Sequence, residues 1–71
     1  MDKKIKHKTN STIFYNKDYE SSKLKVANNL DEQGELRIKA TNVVGDNAVF
    51  FLNKDSIYAL IELLENVEKQ Q

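Results

Sequence analysis

The period of the hydrophobic positions changes near residue 53. Before it lies the apolar run Ala48-Val49-Phe50-Phe51-Leu52, followed by the polar break Asn53-Lys54-Asp55-Ser56. After it, apolar residues fall at 57, 60, 61, 64 and 67, the spacing of one buried helical face. Tyr58, Glu62, Glu65, Asn66 and Lys69 take the opposite side, and no Gly or Pro interrupts the run. Asn53 or Asp55 caps the helix by accepting a hydrogen bond from a free N–H of the first turn. Asp55 also suits the positive helix end. The pattern predicts a short apolar strand leading into an amphipathic C-terminal helix.

Upstream the period is two. Leu24 and Val26 oppose Lys23, Lys25 and Ala27, and Leu36, Ile38 and Ala40 oppose Glu35, Arg37, Lys39 and Thr41. Thr12-Ile13-Phe14-Tyr15 adds a β-branched and aromatic run, with the first ten residues expected to fray. Asn16-Lys17-Asp18, Asn29 to Gly34 and Val44-Gly45-Asp46-Asn47 punctuate these segments as turns and loops. The expected fold is α+β, a single domain over residues 1–71: an antiparallel meander of three or four strands packed against one C-terminal amphipathic helix. There is no internal repeat, low-complexity tract or linker.

The helix is apolar over a wider arc than one sheet requires. At about 100° per residue, Ala59, Leu63, Val67, Leu60, Leu64, Ile57 and Ile61 sweep roughly 200°, against a stripe of a little over about 100° for covering a sheet. The surplus edge is Ala59, Leu63 and Val67. Either the N-terminal segment folds over it or a second copy of the helix packs there. Chain length favours the second: a core of 71 residues rarely supplies more than about 3–5 kcal/mol without a staple. With no Cys and one His, neither a disulfide nor a common zinc framework is open to it. A homodimer seamed at Ala59, Leu63 and Val67 is therefore expected.

Register gives the sheet a charged face. Pairing Val26 with Leu36 and Leu24 with Ile38 keeps apolar residues together, and a slip by one residue would expose them. That pairing sets Lys25 opposite Arg37 and Lys23 opposite Lys39, so four cations share one face. A two-residue Gly45-Asp46 turn puts Val49 and Phe51 in the core and Phe50 among the cations; a three-residue turn reverses this. Tyr15 or Phe14 is a further candidate for that face. Lys23, Lys25, Arg37, Lys39 and Phe50 thus form a candidate face for an anionic partner. Cations interleaved with aromatics suit single-stranded nucleic acid, which offers phosphates and base faces. They equally suit a protein interface, and long Lys stems also cover apolar surface on a merely solvated face.

The landmarks KLKV, GELRIKA and VFFLNKDSIYALIELL, within Lys23 to Val67, follow the order strand pair, turn, apolar strand, capped helix. In that order the chain resembles the positive-cofactor-type transcriptional coactivators and their small bacterial single-stranded-DNA-binding relatives. The resemblance implies dimerisation through the helices and single-stranded DNA binding on a curved sheet. The chain departs from that family in lacking strongly basic loops and Trp.

Charge and composition weigh differently. Net charge is zero, so no global field steers the chain to nucleic acid or membrane, and the leading expectation is an unidentified protein partner. Ten of the eleven basic residues are Lys and there are eight Asn, a bias pointing to the AT-rich genome of a bacterium or phage. No apolar stretch follows the basic N-terminus and no window suits a membrane span, so a cytoplasmic protein without membrane contact is expected. No catalytic, cofactor or metal residue is assigned. His7 has no partner for catalysis, Gly45-Asp46 is a turn rather than a phosphate loop, and Asp31-Glu32-Gln33-Gly34 is too short for a calcium hand. The expected function is that of a small non-enzymatic accessory protein acting through protein–protein interaction, with single-stranded nucleic-acid binding as the alternative.

Overall fold

The computed structural model describes residues 5–71. It is an antiparallel meander in the order β1 (Ile5–His7), β2 (Ser11–Tyr15), β3 (Lys23–Ala27), β4 (Leu36–Thr41) and β5 (Asn47–Leu52), followed by α1 (Lys54–Glu68). The α+β expectation holds with one strand more than foreseen. Ile5 to His7 lie within the stretch expected to fray, yet they pair with Phe14, Ile13 and Thr12. The reason is a long-range clamp. The Asn28 amide donates to Lys8 O at 2.8 Å and to Thr9 O at 3.3 Å, and its own oxygen accepts from the Thr12 hydroxyl at 2.8 Å. Residues 1–4 lie outside the described residues.

Two of the hairpin loops are built to one plan. In Asp31–Glu35 and again in Asn42–Asp46, the first side chain accepts from the backbone N–H of the third and fifth residues. The first residue's own N–H donates to the fifth carbonyl, and the fourth residue donates back to the first. That fourth residue is Gly34 (φ 77°) or Gly45 (φ 92°), in the left-handed region that glycine enters without a Cβ penalty. Asp and Asn supply the short acceptor that such a turn needs.

These loops set the register. The Gly34 turn encloses Asp31–Glu35 rather than Asn29–Gln33, and the β3–β4 pairing is shifted by two residues from expectation. Val26 meets Ile38, Leu24 meets Ala40, Lys25 meets Lys39 and Lys23 meets Thr41. A shift of two leaves each residue on its expected face. Residues 42–46 form a five-residue connection between the partners Thr41 and Asn47, which has the parity of a three-residue turn. Phe50 therefore lies across from Ile38 on the helix side, and Phe51 lies across from Arg37 on the other.

Helix α1 begins where the sequence indicates. Of the two candidate caps it is Asn53 whose side-chain oxygen accepts from the Ser56 N–H, at 2.9 Å, while Asp55 adds an acid to the first turn. The helix does not lie flat on the sheet. Its closest packing is against β5, the strand it follows, and no residue of it is fully buried. Ile57 and Leu60 are half-buried, whereas Ile61, Leu63, Leu64 and Val67 are exposed. Between helix and sheet lies an apolar cleft of about 340 Å³ lined by Phe14, Leu24, Val26, Leu36, Ile38, Leu60 and Leu64. Among the described residues, Ile13 and Ile38 are the buried apolar ones.

Candidate functional site

The strand ladders sort charge onto one side of the sheet. Lys6 pairs with Ile13, Ile13 with Lys25, Lys25 with Lys39, and Lys39 with Val49, so these residues form one row across all five strands. Lys23 lies two residues from Lys25 along β3, and Arg37 lies two from Lys39 along β4, so both project to the same side. Five cations thus occupy one face. The described strands contain no Asp or Glu; the acids among the described residues stand in loops and on α1. The opposite face carries Phe14, Leu24, Val26, Ile38, Phe50 and the cleft under α1.

The four expected cations come together, though with different partners. Lys25 sits across from Lys39, a like-charge pair of the kind that destabilises a ladder. Lys23, Lys25 and Lys39 are half-buried along their stems, and Arg37 is exposed. Ile13, only 5% exposed, is flanked in the register by Lys6 and Lys25. Stems of that kind lie over apolar neighbours while the ammonium groups stay in water. The face therefore has an apolar floor and a charged rim.

Aromatic residues flank the cations on two sides. Tyr15 pairs with Lys23, and the Lys23 ammonium lies 5.9 Å from the Tyr15 ring centroid, within reach of a cation–π attraction. Phe51 pairs with Arg37 and is 49% exposed. Phe50, expected among the cations, is instead on the apolar face; the parity of the Asn42–Asp46 loop decides this. Of the two aromatic candidates in β2, Tyr15 joins the basic face and Phe14 does not. Lys6 and Val49 belong to the face and were not singled out from the sequence. The alternation of Lys with Ile5 and His7 carried the signal for Lys6.

No family model matches the chain, and neither does any curated protein or solved structure. Among the described residues no group of three His, Asp or Glu side chains converges as a metal set, and no helix is long and apolar enough to cross a membrane. The expected seam residues Ala59, Leu63 and Val67 are all exposed on α1.

Proposed function

We propose that the protein is a small non-enzymatic binding protein that holds a single-stranded nucleic acid on its basic sheet face and acts as a homodimer. The observation that carries this is the placement of Lys6, Lys23, Lys25, Arg37 and Lys39 on one face, from strands that contain no Asp or Glu, with Tyr15 and Phe51 on the same side. Ammonium and guanidinium groups neutralise phosphates, and the aromatic rings offer stacking surfaces to unpaired bases. Phosphate contacts and ring stacking read no base edge, so binding is expected to be tolerant of sequence. A bacterial or phage origin is supported by the Lys- and Asn-rich composition.

Fluorescence anisotropy of a labelled single strand at low salt tests the proposal. Affinity should fall with salt at a log–log slope of about −0.7 per phosphate contact, so near −3 for four contacts. No binding at tens of micromolar protein refutes it.

A protein partner is the second reading, supported by the apolar cleft beneath α1. Exposed Phe14 and Leu64 beside half-buried Leu60 make the kind of surface that binds other proteins. Self-association through the helix edge Ala59, Leu63 and Val67, all exposed on α1, is the form of it we favour. Failure to bind oligonucleotides together with a stable dimer would leave this reading in place.

A further inference from the structure

The two edges of the sheet are unlike. The described part of β1, Ile5–His7, carries Lys6, a charge that discourages another strand from joining this edge. β5 is six residues long, contains no charge, Gly or Pro, and pairs with β4 through six consecutive partners without a bulge. It is nevertheless the last strand of the sheet. Ala48, Val49, Phe50 and Phe51 are all exposed, and on its outer side every second residue directs an unpaired N–H and C=O away from β4. The strand itself carries no charge, proline or bulge to blunt this edge.

The exposed area indicates what must be covered. The chain has 5965 Å² of accessible surface. A folded monomer of 8.2 kDa is expected to have about 4,500 Å². The surplus exceeds roughly 1,000 Å², more than the ~800 Å² per partner of a standard interface and in the range of an obligate one. With Ile13 and Ile38 as the buried apolar residues among those described, so small a core is expected to need such a covering. A second copy meets that requirement, and an antiparallel edge is self-complementary under a two-fold axis.

We infer that β5 pairs with β5 of a second copy, joining two five-stranded sheets into one of ten strands with a continuous basic face. For both faces to continue across the seam, each residue must meet one of like parity. The register that pairs every apolar residue with another sets Phe50 opposite the partner's Phe50 and Val49 opposite the partner's Phe51. Asn47 is then left outside the ladder. On the apolar side the axis passes beside α1, which packs on β5 and so brings both helices to the seam. On the basic side, Val49 and Phe51 of both copies form a strip between two cation clusters. The β4 strands of the two copies stand about 14 Å apart, three strand spacings. The site is thus completed by the partner, a consequence that rests on the nucleic-acid proposal, whereas the pairing itself does not.

The chain has no cysteine, so one can be introduced cleanly. Phe50→Cys should give a disulfide-linked dimer as the major product of mild oxidation, because residues directly opposed across strands have Cα separations that a disulfide spans. Ile5→Cys at the other edge should remain a free thiol. Linkage through Leu63→Cys with none through Phe50→Cys would overturn the inference in favour of a helix-only seam. Since Phe50→Cys also removes an apolar ring, amide exchange on the wild-type protein gives the second readout. Protection should be uniform along 48–52; exchange of every second amide at the rate of an open edge would overturn the inference. Neither measurement involves nucleic acid, so each proposal can fail alone.

Discussion

Arg37 stands directly across from Phe51 in the β4–β5 ladder, one presenting a guanidinium and the other a half-exposed ring to the same side of the sheet. Cross-strand neighbours have Cβ atoms about 4.5–5.5 Å apart, so a phosphate on Arg37 and a base on Phe51 fall within one nucleotide's reach. Tyr15 and Lys23 repeat the combination two strands away, at the other side of the cation cluster.

Removing the cations should abolish salt-dependent binding without loss of fold. Replacing Lys23, Lys25, Arg37 and Lys39 by Gln is expected to eliminate most of a slope near −3. Thermal stability should hold or rise, because the Lys25–Lys39 opposition is relieved. A variant that keeps its salt slope would show that the ligand lies elsewhere.

Phe51→Ala should weaken binding of a single strand by about 1–3 kcal/mol through lost stacking, alike for different base compositions. Phe51→Trp should retain it. Titration of the three proteins with one labelled oligonucleotide decides the matter.

Leu64 is 56% exposed in the single chain. If a second copy covers the cleft, Leu64→Ala costs about 2–5 kcal/mol, as for a core truncation. An uncovered side chain would give within about 0.5 kcal/mol of wild type. We expect the larger loss, with a melting temperature that rises with protein concentration.

Leu63→Glu or Val67→Lys should place a charge on the helix edge and yield monomer, or unfolded chain if the protomer is not viable alone. Sedimentation velocity reads both outcomes. Wild-type protein sedimenting as a monomer at micromolar concentration would reject self-association through this edge.

Gly45→Ala isolates backbone strain. A Cβ at that position has nothing within 4 Å, so crowding plays no part. The positive φ of 92° remains and should cost about 1–2 kcal/mol. Gly45→Asn should cost less, since Asn tolerates the left-handed region better. Chemical denaturation of the pair provides the comparison.

Period and polarity were enough to locate β3, β4, β5 and α1, because each signal is local. The face of Leu24, Val26 and Ile38 was likewise legible, since a two-residue slip does not alter it. The choice between Phe50 and Phe51 depended on loop parity, and a two-residue Gly45-Asp46 turn does not describe residues 42–46. A usable signal existed: Asp31-x-x-Gly34-Glu35 and Asn42-x-x-Gly45-Asp46 share one spacing. β1 was legible only as the alternation of Lys with Ile5 and His7, because the Asn28 clamp that holds its turn acts across the chain. Nor was the cleft under α1, for an apolar stripe specifies which side seeks cover and not what supplies it.

The absence of acids from the strands bears on how net charge should be understood. At physiological salt the Debye length is about 8 Å, and the molecule measures 32 × 31 × 22 Å. A polyanion seated on the sheet face lies nearer to the five strand cations than to the carboxylates of α1 on the other side, and the nearer charges weigh more. The zero sum that argued against nucleic acid is a property of the whole particle, relevant to its migration in a field, and no ligand at contact distance experiences it.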